Sequence, residues 1–217
     1  MLAFAPQAWT SDNTDAVERL RIQWGTSLAY PVSSMGSHVS AAPNHQLFRD
    51  APLKTRADVA LFGTFGYELD PTRLTDDERA QVRAQVAFMK RHRALIQLGD
   101  QYRLRSPFEG RGNECAWMVV SGDKSEAIVA YYRILQEVNV GRRSFRLAGL
   151  VPGARYEVRE EGACAAPGAM GLRYRRPLTG AELMRVGLDL TDETAGKSSS
   201  GRGDFLSRVF TLTRVGA

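Results

Sequence analysis

The chain has 217 residues, 43% of them hydrophobic, and its 29 basic and 24 acidic residues leave a formal charge of +5. That length holds one large domain or two small ones with ample core, and the mixing of the two signs describes a solvated surface rather than a nucleic-acid groove. No apolar run approaches the ~20 residues of a membrane span, MLAFAPQAW lacks the basic start of a signal peptide, and Cys115 and Cys164 form no CxxC and have no nearby His pair, so the composition describes a cytoplasmic protein without a metal or disulfide framework.

The first hundred residues alternate in the α/β manner. Leu2 to Ala8 is a short apolar run that predicts a buried strand ending at Trp9. A helix follows from Asp15, with Thr14 as its candidate N-cap and Asp15 and Glu18 near its positive end. Val17, Leu20 and Trp24 mark its core face, and Gly25 is placed to stop it. Tyr30 to Ser40 reads as a strand segment and loop, Leu53 to Ala60 as a short helix, and Leu61 to Gly66 as a third strand whose glycines imply close backbone approach. The clearest helix starts after Leu74: Thr75 is its N-cap, Asp76, Asp77 and Glu78 fill the first turn, and Val82, Val86, Met89 and Ile96 share one face. Gly99 ends it.

From Asp100 the period changes. Short strand-like runs occur at Tyr102 to Arg105, Ala116 to Val120, Ala127 to Leu135, Ser144 to Leu147 and Tyr156 to Arg159, with more at Leu188 to Leu190 and Val209 to Thr213. Turn sequences such as Ser121-Gly-Asp-Lys, Val140-Gly-Arg-Arg and Val151-Pro-Gly-Ala separate them. This spacing predicts an antiparallel sandwich, and the glycine- and serine-rich stretch Thr191 to Gly203 reads as a mobile loop. The fold class is therefore α/β plus all-β, with residues 1–99 and 100–217 as the two parts. Three strand–helix units do not make a self-sufficient parallel sheet, and a full barrel of this kind needs eight. The remainder is expected from another chain or from sequence encoded upstream of Met1.

The segment Trp9-Thr-Ser-Asp-Asn-Thr-Asp carries the candidate chemistry. An acid at the C-terminal end of a barrel strand is placed to donate a proton to a leaving-group oxygen, and glycoside hydrolysis pairs such an acid with a second carboxylate. The same residue types are also those preferred as helix caps, and on residue type alone capping is the commoner use. Trp9 reads first as core, with stacking on a pyranose face as the alternative. His38 reads as a structural residue or a loop-orienting one at the barrel mouth. His45 and His92 have no partner at metal-ligand spacing. Cys115 reads as a small buried residue, and Arg202-Gly-Asp204 as a chance tripeptide.

The stretch PQAWTSDNTDAVERLRIQWGTSLAYPVSSMGSHVSAAPNHQ resembles the late barrel of family 36 α-galactosidases. The resemblance continues in the family's order through FGTFGYELD, AFMKRHRALIQLGDQYRLRSPFEG, ECAWMVVSGDKSEAIVAYYRIL and GDFLSRVF. It implies the last strand–helix units of a (β/α)8 TIM barrel at 1–99 and a C-terminal antiparallel β-sandwich domain at 100–217. It also implies retaining hydrolysis of terminal α-galactosides, as in melibiose and raffinose, without metal or organic cofactor, by an enzyme that is a homo-oligomer at full length. The family's acid/base lies in its TSDNTD segment and matches Asp12, which would also contact the substrate, with Asp15 as the second choice. The family's nucleophile lies in a Lys-Trp-Asp motif that does not occur in these 217 residues. The chain alone is therefore expected to be inactive. The alternative is a non-catalytic carbohydrate-binding or oligomer-assembly β-module.

Overall fold

The computed structural model describes residues 4–138, 143–161, 173–190 and 203–216, and the chain divides into two compact units, Met1–Gly99 with Glu161–Met170 and Asp100–Glu160 with Gly171–Ala217.

In the first unit, Ala8 forms a single parallel bridge to Met35, with Ala8 N–H donating to Ser34 O at 2.8 Å and Gly36 N–H to Ala8 O at 2.9 Å. The strand expected from Leu2 is thus reduced to one bridged residue, Leu2 and Ala3 lying outside the described residues. Pro6, which has no N–H to offer a ladder, bounds it on the near side.

Helix α1 (Ala16–Thr26) follows, and its N-cap is Asp15 rather than Thr14. A carboxylate reaches two orphan N–H groups at once, whereas the Thr14 hydroxyl faces inward and accepts from Asn44 Nδ2 at 3.3 Å. The helix runs past Gly25 and is capped by Ser27. Strand β1 (Gly36–Ser40) and strand β2 (Thr64–Glu68) are parallel, with His38 opposite Gly66, and helix α2 (Leu53–Ala60) crosses between them. Val39 of β1 packs with Leu53, Ala57 and Ala60 of α2. The third strand begins three residues later than the sequence implies because Leu61 still donates its N–H to Ala57 O, closing α2. Gly63 makes the close approach: a Cβ there would lie 2.5 Å from Ser37 Cβ. Helix α3 (Asp76–Leu98) opens with the expected capping box of Thr75 and Glu78.

The second unit is an antiparallel six-stranded sheet in the order β3-β4-β5-β10-β7-β8, beside a two-stranded pair β6-β9. Its strands are β3 (Asp100–Arg105), β4 (Glu114–Val120), β5 (Glu126–Arg133), β6 (Ser144–Phe145), β7 (Arg155–Glu160), β8 (Leu178–Thr179), β9 (Leu188–Asp189) and β10 (Leu206–Val215), with helix α4 (Gly180–Arg185) after β8. Ala116, Met118, Val129, Tyr131, Phe210 and Leu212 form one face of the core, covered by Phe145, Leu147, Leu183 and Leu188. Among the described residues the cover over that face comes from the β6–β9 pair, helix α4 and the chain beside them. Residues of the opposite parity along β4 and β5, such as Trp117 and Tyr132, are buried as well, so these two strands read as near-continuous apolar runs. Strand β8 and helix α4 escaped the sequence reading, although Thr179 and Glu182 make a capping box. Cys164, the turn at Val140 and the stretch from Thr191 to Arg202 lie outside the described residues.

One buried charge in this unit has a well-satisfied partner. Arg208 of β10 donates from Nε to Glu160 Oε1 at 2.6 Å and from Nη1 to Leu190 O at 2.7 Å, and a second guanidinium nitrogen contacts Glu160 Oε2. Such a fork-to-fork pair is strong when complete and costly when halved. Glu160→Ala is expected to lower unfolding free energy by about 3–5 kcal/mol, measured by urea denaturation, whereas Glu157→Ala at the more exposed pair with Arg159 is expected to change it by about 1 kcal/mol or less.

Candidate active site

The chain leaving Ala8 runs beside β1 until Ser40 Oγ donates to Thr14 O at 3.0 Å. The polar segment between them therefore emerges at the C-terminal end of the parallel strands, where open and closed α/β sheets hold their ligands. Its shape is set by short-range bonds. Asn13 N–H donates to Ser11 Oγ at 3.1 Å and Asp15 N–H to Asn13 Oδ1 at 3.0 Å, the side-chain-to-backbone pattern that makes a tight turn. Asp15 then accepts from Val17 N–H and Glu18 N–H, each at 3.0 Å, and its buried carboxylate is paired with Arg49.

The two acids of the segment are thereby separated. Asp15 is buried at the head of α1, where its Oδ1 accepts from Val17, Glu18 and Arg49, while Asp12 is exposed. Among the described residues the Asp12 carboxylate accepts one hydrogen bond, from Trp9 Nε1 to Oδ1 at 2.9 Å. Trp9 is 48% exposed, so it is not the core residue its apolar context implies. Its ring lies on that of His38, centroids 4.6 Å apart and planes tilted by 37°. Burial holds the His38 imidazole below its ordinary pKa, opposed by nearby Glu68 and assisted by Arg19.

Beneath the turn lies a polar layer that sequence reading missed. Arg19 is buried and its guanidinium donates to Gly36 O and, at 3.4 Å, to Ser11 O, tying α1, β1 and the turn together. Burial lowers its pKa, with Glu68 working in the other direction. Gln23, one turn on, donates to Val59 O and Phe62 O at 3.1 and 3.0 Å and accepts from Ser37 Oγ at 3.0 Å. The signal was present in the spacing: Arg19 and Gln23 sit at i and i+4 on the stripe of Ala16, Leu20 and Trp24, all of which are buried. His45 is exposed and His92 lies against Phe88. Among the described residues no group of three or more His, Cys, Asp or Glu is arranged to hold a metal ion. Cys115 is buried in the other unit, where burial pushes its thiol pKa far up, and this removes thiolate chemistry. Asp204 of the Arg-Gly-Asp tripeptide accepts from Gln136 N–H at 2.7 Å, a structural use; Arg202 lies outside the described residues.

Residues 1–99 match the family described as Melibiase, and residues 114–212 match the Glycosyl hydrolase family 36 C-terminal domain. The chain belongs to glycoside hydrolase family 36. Among its family 36 relatives, alpha-galactosidase AgaA of Geobacillus stearothermophilus is 60% identical over 158 residues, which are 73% of this chain and 21% of the relative. Probable alpha-galactosidase G of Emericella nidulans is 39% identical over 215 residues, 99% of this chain and 26% of the relative. The crystal structure of alpha-galactosidase AgaB from Geobacillus stearothermophilus superposes with a TM-score of 0.84 at 50% identity, covering 99% of this chain and 26% of that one. The chain thus spans about a quarter of the length of the family members it matches. No helix among the described residues is long and apolar enough to cross a membrane.

The lowered His38 pKa has a consequence for stability. A histidine that binds its proton less readily when folded opposes folding once protonated, so its contribution is complete above the ordinary value of 6.5 and declines as pH falls below it, toward the lowered folded value. Thermal midpoints followed from about pH 7.5 to about pH 5 are expected to fall less steeply in His38→Gln than in the parent protein.

Proposed function

We propose that this chain is the part of a retaining α-galactosidase that carries the general acid/base, Asp12, and that the nucleophile lies outside these 217 residues. In this reading residues 1–99 are the last strand–helix units of a (β/α)8 barrel and residues 100–217 a C-terminal antiparallel β-sandwich domain. The substrates are terminal α-galactosides such as melibiose and raffinose; among solved relatives, a variant of AgaA holds raffinose and another holds stachyose. A cytoplasmic homo-oligomer at full length belongs to the same proposal.

The observation that carries the reading is the division between the two acids. Asp15 is buried, with Oδ1 engaged by the α1 N–H groups and by Arg49. Asp12 stands exposed at the strand ends with Oδ1 held by Trp9, and among the described residues nothing donates to Oδ2. A carboxyl group with one oxygen anchored and one open is suited to proton transfer. In the first step a carboxylate nucleophile attacks the anomeric carbon while Asp12, as the acid, transfers its proton to the glycosidic oxygen and the C–O bond breaks. In the second, Asp12 as carboxylate takes a proton from water, whose oxygen attacks the anomeric carbon, releasing galactose and restoring the nucleophile.

Asp12→Asn in the full-length enzyme is expected to lower kcat/KM for raffinose by about 10²–10⁴-fold, with azide restoring turnover of an activated aryl α-galactoside by attacking the galactosyl–enzyme in place of activated water. Undiminished raffinose cleavage by this variant would overturn the assignment. The 217-residue chain by itself is expected to leave aryl α-galactosides intact, and release of the aryl alcohol by the purified chain would show that its nucleophile is internal.

A further inference from the structure

Trp9 has more structure built around it than an exposed indole at a strand end requires. The chain just before it is pinned twice, by the Ala8–Met35 bridge and by Gln7 Nε2 donating to Thr64 Oγ1 at 2.7 Å. The two rings then lie where the strands have no side chain, Trp9 against Gly36 and His38 against Gly66. A Cβ on Gly36 would come within 3.2 Å of Trp9 Cε3, and one on Gly66 within 2.8 Å of His38 Cδ2. The glycines of β1 and β2 thus clear a shelf, His38 fills one half of it, and Trp9 rests on His38. Burial keeps that imidazole below its ordinary pKa, so at neutral pH the ring under Trp9 is uncharged. The exposed edge of the indole carries its N–H to Asp12 Oδ1 at 2.9 Å.

We propose that Trp9 is a positioning residue for Asp12, seated for that purpose on His38 and the Gly36–Gly66 shelf. The proposal rests on the reading of Asp12 as the acid/base. The chemistry follows from what an indole is able to do. Its Nε1–H donates, never accepts, and does not titrate in the range where enzymes work. The carbonyl oxygen of a neutral carboxyl group is a better acceptor than its hydroxyl oxygen, so the bond from Trp9 favours Oδ1 as the carbonyl and the proton on Oδ2. Trp9 thereby biases which oxygen delivers the proton, and it removes the free rotation of a carboxyl group that is otherwise exposed to solvent. Misplacement of a proton donor is felt in the step that needs the proton and not in steps that do without it.

The test is a leaving-group comparison in the full-length enzyme. Trp9→Phe keeps a ring on His38 and deletes the N–H. A hydrogen bond to a charged group supports a loss of roughly tenfold to a hundredfold, and kcat/KM for raffinose, whose leaving oxygen must be protonated, is expected to fall by that amount. The kcat/KM for a dinitrophenyl α-galactoside, whose leaving group departs without help, is expected to stay within about twofold. Equal losses on both substrates would mean that Trp9 serves galactose binding or folding, and no loss on either would mean that it serves nothing in the reaction; either result overturns the proposal. His38→Ala, which removes the seat and leaves the N–H, is expected to give the same split, and the double variant to be no worse than Trp9→Phe. Additive losses would overturn the seating role. The two readings separate cleanly. If Asp12→Asn cleaves raffinose like the parent, the acid/base assignment itself fails; if Asp12→Asn is impaired and Trp9→Phe is not, the positioning role alone fails.

Discussion

The first unit depends on one buried carboxylate. Asp15 receives the N–H groups of Val17 and Glu18 in the first turn of α1 and the guanidinium of Arg49, so a single side chain caps the helix, complements its positive dipole and ties it to a loop more than thirty residues away in sequence. With that end fixed, the distance from the Ala8 bridge to the helix start must be closed by a handful of residues, and Ser11 and Asn13 close it with their own side chains. Asp12 is the member of the turn that this arrangement leaves over. Its exposure goes with the burial of Asp15.

The same economy explains the layer below. A parallel sheet meeting a helix leaves backbone carbonyls at its crossings, and buried carbonyls need donors. Arg19 and Gln23 supply them from one face of α1, reaching Gly36, Ser11, Val59 and Phe62. They make the strand ends rigid without filling the space above, where Trp9, His38 and Asp12 sit. Glycines at 36, 63 and 66 are the counterpart on the sheet side: each gives a neighbouring side chain or backbone group room that a Cβ would take. This end of the unit is thus held by polar and small residues more than by apolar packing.

Much of this was legible in the sequence, and the failures have physical causes. The helices at Ala16, Leu53 and Asp76 announced themselves through period and caps, and the change of period at Asp100 marked where the antiparallel sheet begins. Thr14 and Asp15 are both capping residue types, Asp the stronger, and with Thr14 turned inward to Asn44 the cap falls to Asp15. The first strand shrank to Ala8 because an apolar run says that residues are buried and not that their backbones are paired. Apolarity points Trp9 to the core, although the ring is half exposed and its N–H donates to Asp12. The link from residue types to proton chemistry at Asp12 came from resemblance, since the local pattern is equally that of a helix cap.

On the proposed assignment Asp12 is the proton donor and Asp15 belongs to the helix. The most direct measurement is the dependence of log kcat/KM on leaving-group pKa across a series of aryl α-galactosides, for the full-length parent, Asp12→Asn and Asp15→Asn. The account predicts a shallow dependence in the parent, where the acid compensates for poor leaving groups, a steep one in Asp12→Asn, and a shallow one in Asp15→Asn, whose deficit would appear in thermal stability instead. A steep dependence in Asp15→Asn with a shallow one in Asp12→Asn would contradict it.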